Sequence, residues 1–252
     1  MPTPRVELMN ALNELLRPAA FRDYCPNGLQ VEGTDSIHRL VSGVTASQAL
    51  IDAAVAWQAD AILVHHGFFW KSEDPCIRGM KGNRIRTLIK ADVNLIAYHL
   101  PLDCHETLGN NAGLGRVLGL EHFGPADPAE PTLPLFSGEF AVPISQAVLA
   151  DRLSAELGRR VLTEGEHAGV RKVVWCTGGG QGYIEQAVDL GADLFVTGEV
   201  SEQTIHVARE RNIGFIAAGH HATERFGARS VGEWLASRFD VAHRFIDIDN
   251  PA

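Results

Sequence analysis

The sequence predicts an α/β fold of two related lobes, each a mostly parallel sheet flanked by helices, and three observations predict it. Continuous apolar runs, among them AILV (61–64), NLIAY (94–98), KVVWC (172–176), DLFVT (193–197) and GFIAA (214–218), alternate with amphipathic segments. Apolar strands separated by helices belong to a parallel sheet covered on both faces. Pro125, Pro128, Pro131 and Pro134 interrupt the middle of the chain at a density that no regular element tolerates, which reads as a crossing between lobes. With an offset of 133 positions, LVSGVTAS (40–47) lies over VVWCTGGG (173–180), and Ile51, Ala54, Val55, Ala59 and Asp60 meet Ile184, Ala187, Val188, Ala192 and Asp193. Duplication and shared β-α-β grammar both produce such matches.

Each element follows from local signals. Thr3 as N-cap and Pro4 at the first helical position open an amphipathic helix to Leu16. After the turn-rich DYCPNGLQVEG come a strand at RLVSGVTAS, an Ala-rich helix over 47–59, the strand AILVHHG, a helix over 80–91, the strand NLIAYHLPLD and a helix over 110–119. Beyond the prolines the pattern gives a strand over 136–142, a helix over 145–157 and the strand KVVWC. The Gly-rich turn TGGGQG, a helix over 183–191, the strand DLFVTGE, a helix over 201–212, the strand GFIAAGH, a helix over 223–238 and a strand over 241–248 complete it. The lobes then comprise residues 1–124 with 220–252, and 125–219.

Composition bounds the function classes. A chain of 252 residues, 45% hydrophobic and 21% charged, buries a sizeable core, which excludes disordered and fibrous classes. It has no run of about 18 apolar residues and no basic start followed by an apolar core, so it reads as a cytoplasmic protein without a membrane span. Cys25, Cys76, Cys104 and Cys176 form no C-x-x-C and read as reduced thiols. A net charge of -9 weighs against nucleic acid as a partner, because neutralising phosphates takes clustered Lys and Arg. The unusual number is eleven histidines, six of them in three short segments: His65 and His66, His99 and His105, His220 and His221.

Ligands of a parallel α/β sheet bind outside the carboxyl ends of its strands. His65 and His66 end AILV, His99 and Asp103 end NLIAY, and His220 and His221 end FIAAG, so three strand ends deliver imidazole or carboxylate to one edge. His220 and Glu224 are four apart and share a face if a helix starts promptly after Gly219. His65, His66, Asp103, His220 and Glu224 together make three imidazoles and two carboxylates, a donor set suited to two divalent ions of the Zn, Fe or Mn type. His38, His122, His167, His206 and His243 read as structural. TGGG is either an anion cradle or a tight turn, Cys104 a ligand or, more simply, a buried thiol, and Glu199 either lines the site or ends a solvated strand.

The segments GLQVEG (28–33), LVHHG (63–67), YHLPLD (98–103) with Asn110 and Asn111, TGGG (177–180), D-x-x-x-TGE (193–199) and GHHATE (219–224) resemble the Nif-three-like family. Its bacterial, YbgI-like members often carry the label GTP cyclohydrolase 1 type 2 homologue. The resemblance implies a dinuclear metal centre in a cleft between two lobes, the same five residues as ligands, and a homohexameric ring built as a trimer of dimers. It also implies a compact version of the family, since PADPAEPTLP leaves no room for a third domain. His99 and His221 are the candidates for moving protons. The expected function is metal-dependent hydrolysis of a small phosphorylated or heterocyclic metabolite, GTP ring opening being one form of it. The competing readings are a metal-holding interaction protein and the same fold without metal.

Overall fold

The computed structural model describes residues 2–252 and divides by internal packing into two units. One runs to Leu102 and resumes over Gly227–Asp249; the other covers Asp103–Phe226 and Asn250–Ala252. Among the described residues no helix is long and apolar enough to cross a membrane.

The first unit is a five-stranded sheet in the order Ala242–Phe245, Arg39–Thr45, Ala61–His66, Asn94–Ala97, Gly28–Val31. All neighbours are parallel except Gly28–Val31, which runs antiparallel on the edge. Val41, Ile62, Val64 and Leu95 are fully buried against Leu50, Ile51 and Ala54 of the helix Gln48–Ala56 and Leu88 of the helix Gly79–Ala91. Ser47 caps the first of these helices, its hydroxyl accepting from Leu50 N at 3.2 Å. The N-terminal helix spans Arg5–Leu16, and the expected Thr3 cap is replaced: Thr3 and Pro4 pair antiparallel with Ile37 and Ser36, a contact 34 residues away in sequence for Thr3. The strand NLIAYHLPLD is also shorter than expected. It ends at Ala97, and Asp103 lies on the helix Leu100–Cys104, which Pro101 enters at its first turn.

The second unit holds a six-stranded sheet in the order Phe123–Pro125, Phe136–Ile144, Val170–Cys176, Leu194–Thr197, Gly214–Ala217, Leu162–Glu164. Only the central three strands are parallel; the remaining pairings are antiparallel, so this sheet is mixed where a mostly parallel one was expected. The prolines do not cross between units. Pro125 pairs with Phe136 on an edge strand, where a missing N–H is tolerated, and the remaining three sit in the loop of that antiparallel pair. The division falls at 102/103, 226/227 and 249/250, whereas the sequence places it at 124/125 and 219/220. The reason is that Leu114 and Leu118 of the helix Asn110–Leu118 share a core with Phe136, Leu149, Leu153 and Trp175.

The repeat is carried into the hydrogen bonds. Asp60 Oδ2 accepts from His38 N (2.7 Å) and Arg39 N (2.9 Å); Asp193 Oδ2 accepts from Arg171 N and Lys172 N, both at 2.8 Å. Ala59 N donates to Ala54 O and Ala192 N to Ala187 O, while Asn94 N donates to Asp60 O and Gly214 N to Asp193 O. Each unit therefore braces its β-α-β segment with the same aspartate at the same relative position.

Candidate functional site

In the first unit the donors gather where strand ends meet two loops. Adjacent strand residues ordinarily face opposite sides. At the end of Ala61–His66 the chain turns, and the rings of His65 and His66 come to a centroid separation of 4.4 Å. His99 lies 4.9 Å from the His65 ring and 5.8 Å from that of His66, and the donor nitrogens of the three lie within 4.8 Å of one another. Gly67 permits the turn: a side chain there would overlap Gln30 and Ala97. Gln30, from the GLQVEG segment, accepts from Phe68 N at 2.7 Å and donates to Pro26 O at 2.8 Å. Trp70 closes the cluster, edge-on to His99 at 4.9 Å.

Every one of these imidazoles is tethered through Nδ1. That of His65, a fully buried residue, lies 3.2 Å from Tyr98 O; that of His66 lies 3.2 Å from Thr45 Oγ1; that of His99 lies 2.7 Å from Asp23 Oδ1. The partner nitrogen, Nε2, is thereby the one each ring presents. Asp23 is a further part of the arrangement that the sequence reading missed. Its Oδ2 accepts from Asn27 Nδ2 and Leu100 N, both at 2.9 Å, and Asn27 Oδ1 accepts from His99 N at 2.7 Å. Burial alone would raise the Asp23 pKa, but the His99 hydrogen bond and charge, with Asn27 and the Leu100 amide, take it down to about 2. Burial and the Asp23 charge push the Cys25 thiol up to about 12, which leaves it a neutral thiol beside the cluster.

In the second unit the donors stand around the turn TGGG. Asp103, 5% exposed, accepts at Oδ1 from Asn110 Nδ2 (2.9 Å) and Thr177 Oγ1 (3.2 Å). Asn111 ties the same corner, its Nδ2 donating to Asp103 O and its Oδ1 accepting from Thr177 N. His220 opens the single turn His220–Thr223, and its Nε2 lies 3.2 Å from Oε1 of the buried Glu224, so the four-residue spacing does bring the two together. Its Nδ1 lies 2.6 Å from Glu199 Oε1. Burial would lower the His220 pKa; the two carboxylates outweigh it and carry it up to about 9. Burial, together with Asp103, Cys104 and Glu224, pushes the Cys176 thiol well up, and Cys104 donates to Thr132 O at 3.5 Å as a buried thiol. His221 is half-buried on the same turn as His220.

The TGGG turn is not an open anion cradle. Three of its four amides are spent inside the protein: Thr177 N on Asn111 Oδ1, Gly178 N on Thr223 Oγ1 and Gly180 N on Thr197 Oγ1, at 3.0, 3.0 and 3.1 Å. What the glycines provide is close approach, since a Cβ on Gly178 would overlap Glu224 Oε1. Two of the remaining histidines have evident structural partners: His105 Nδ1 accepts from Leu108 N, and His243 Nε2 lies 2.7 Å from Ser42 Oγ.

The profile of the Duf34/NIF3 (NGG1p interacting factor 3) family matches residues 4–251. A protein of Yersinia pestis named GTP cyclohydrolase 1 type 2 homolog is 58% identical over 249 residues, covering 98% of this chain and 99% of its own length. The solved structure of protein ybgI, described as of unknown function, superposes with a TM-score of 0.94 at 52% identity, covering 99% of this chain and 100% of its own. TTHA1606 from Thermus thermophilus does so with 0.91 at 35% identity, again over 99% and 100%.

Proposed function

The chain belongs to the Duf34/NIF3 family, and from that premise we propose that it is a dinuclear metal-dependent hydrolase of a small phosphorylated or heterocyclic metabolite, with GTP ring opening among the candidate reactions. His65, His66, Asp103, His220 and Glu224 would hold two divalent ions, Zn, Fe or Mn. The observation that supports this reading best is the shared tether. His65, His66 and His220 each have Nδ1 engaged by a carbonyl, a hydroxyl or a carboxylate, the arrangement that orients imidazoles for ligation through Nε2. The donor set fits: mixed imidazole and carboxylate, with the thiols of Cys25 and Cys176 held neutral.

Bound there, a pair of divalent ions supplies Lewis acidity toward an electrophilic carbon or phosphorus. The chain's own groups do the rest. Asp23 accepts the Nδ1–H of His99 and fixes the ring, so a proton is held or moved at Nε2, beside the His65 and His66 rings. The Trp70 ring stands 4.9 Å from that of His99 and 5.8 Å from that of His66, and His221 is the second candidate to carry a proton. The same reading has the chain assemble as a homohexamer, a trimer of dimers, which light scattering of the intact protein tests.

The deciding experiment is elemental analysis of untagged protein followed by a turnover screen of the metal-loaded form on GTP, related nucleotides and phosphoesters, with Glu224→Ala alongside. Two equivalents per chain and turnover that falls at least 100-fold in Glu224→Ala support the proposal. Two equivalents with no turnover on the whole panel would make this a metal-holding interaction protein, and absence of metal would remove the centre altogether.

A further inference from the structure

We infer that Glu199 is a positioning residue for the metal centre, holding His220 in the orientation and tautomer that ligation through Nε2 requires. This rests on the metal-centre reading above and goes beyond it, because Glu199 is not one of the five proposed ligands. In the repeat, Glu199 stands 133 positions beyond His66, just past the end of the corresponding strand. The first unit places an imidazole at that position; the second places a carboxylate that acts on a neighbouring imidazole.

The geometry is specific. Glu199 Oε1 lies 2.6 Å from His220 Nδ1, against 3.2 Å for the tethers of both His65 and His66. A carboxylate has no proton to give, so the shared proton belongs to Nδ1. The other carboxylate oxygen, Oε2, accepts from Gln181 Nε2 at 3.1 Å, which stops the side chain from rotating away. His220 Nε2 then faces Glu224 Oε1 at 3.2 Å, toward the second donor of the same turn. The backbone beneath is fixed as well: Gly219 N donates to Gly198 O and Gly198 N to Gly178 O, each at 2.9 Å, and a Cβ on Gly198 would stand 2.7 Å from His220 Cα. The Glu199 side chain is 43% exposed, so it contributes little to stability as an ion pair, and its effect is one of orientation. A residue acting in this way shows itself in metal affinity and leaves the fold alone.

The test is zinc affinity by chelator competition on the intact protein, with Glu199→Ala, Glu199→Gln and His220→Ala, read beside the thermal midpoint of each metal-free form and the absorption spectrum of each cobalt(II) form. Glu199→Ala should bind zinc about 10–100-fold more weakly than wild type. Glu199→Gln, whose amide oxygen still accepts the Nδ1–H, should stay within about fivefold, and both midpoints should lie within about 2 °C of wild type. The cobalt spectrum should change in the alanine variant and be restored in the glutamine variant. Wild-type affinity in Glu199→Ala overturns the inference while leaving the metal centre standing, and so does a loss of affinity that comes only with a midpoint lowered by more than about 5 °C. Failure of the wild-type protein to bind zinc at all would instead overturn the metal centre itself.

Discussion

Gly178→Ala adds one methyl group to the turn after the strand Val170–Cys176, and its consequences separate stability from ligation. Gly178 has φ +66°, and holding an L-residue in the left-handed region costs about 1–2 kcal/mol. The new Cβ would also overlap Glu224 Oε1 and stand 3.1 Å from His220 Nε2. Glu224 is 3% exposed and closely packed, so its carboxylate is pushed from the position beside His220. At about 2–4 °C per kcal/mol for a chain of this size, the backbone term lowers the thermal midpoint by roughly 2–8 °C. Displacing one carboxylate donor should lower zinc affinity at least tenfold, about 1.4 kcal/mol. The neighbouring glycines are the controls. Gly179 is not among the positive-φ residues and its Cβ would come no nearer than 3.6 Å to Glu199 Oε2, so Gly179→Ala should behave as wild type. A Cβ on Gly180 would crowd Cys176 Sγ at 2.6 Å and Thr197 Oγ1 at 2.8 Å, neither of them a proposed donor, so Gly180→Ala should lose stability and keep zinc. Calorimetry or circular dichroism reads the first quantity and chelator competition the second. Wild-type zinc affinity in Gly178→Ala, or equal loss in Gly180→Ala, would refute the reasoning.

Two further outcomes follow from the hydrogen bonds. Asp23 has a folded pKa near 2, below its ordinary value of 3.8, so between those values the unfolded chain binds the extra proton. Its contribution, about 2 kcal/mol, is complete above pH 4 and lost as pH falls toward 2; urea unfolding across that range should show a shallower acid slope in Asp23→Asn, and an unchanged slope would remove the coupling to His99. Asp60→Ala and Asp193→Ala each strip the acceptor from two backbone amides, so each should cost about 1–3 kcal/mol, and the two costs should agree within about 1 kcal/mol if the repeat is physically equivalent; denaturant midpoints decide it.

The strands bearing the donors were legible because a buried parallel strand is apolar throughout, and AILVHH stands out against the mixed sequence around it. Apolar content alone does not say where a strand stops. Tyr98 continues the apolar run of Asn94–Ala97 yet lies past the strand, and only the Pro at position 101 hints that a helical turn follows and carries Asp103. Thr3 has the residue type of a cap, but whether its side chain caps or its backbone pairs depends on Ile37, which no local window contains. Asp23 was invisible for the same reason: its partner His99 is 76 residues away, and the DYCPNG segment has the composition of any turn. TGGG was ambiguous in sequence because anion cradles and close-approach turns draw on the same glycines. Only the partners that three of its amides find, Asn111, Thr223 and Thr197, tell the two apart.

The repeat sharpens what the donors mean. Asp60 and Asp193 hold equivalent amides in the two units, so the two β-α-β segments are braced alike while their strand ends carry different residues. The residues at those strand ends differ in a complementary way. Position 66 is an imidazole tethered by a hydroxyl, and its counterpart Glu199 is a carboxylate tethered by Gln181 that in turn holds an imidazole. Two units that share this bracing and differ at the strand end separate two requirements: the β-α-β frame sets where a strand end lies, and the residue placed there decides whether it meets a ligand directly or prepares the residue that does. Exchanging the two chemistries, with Glu199→His, should therefore preserve the fold and its melting point while abolishing the 2.6 Å contact on which the ligating form of His220 depends.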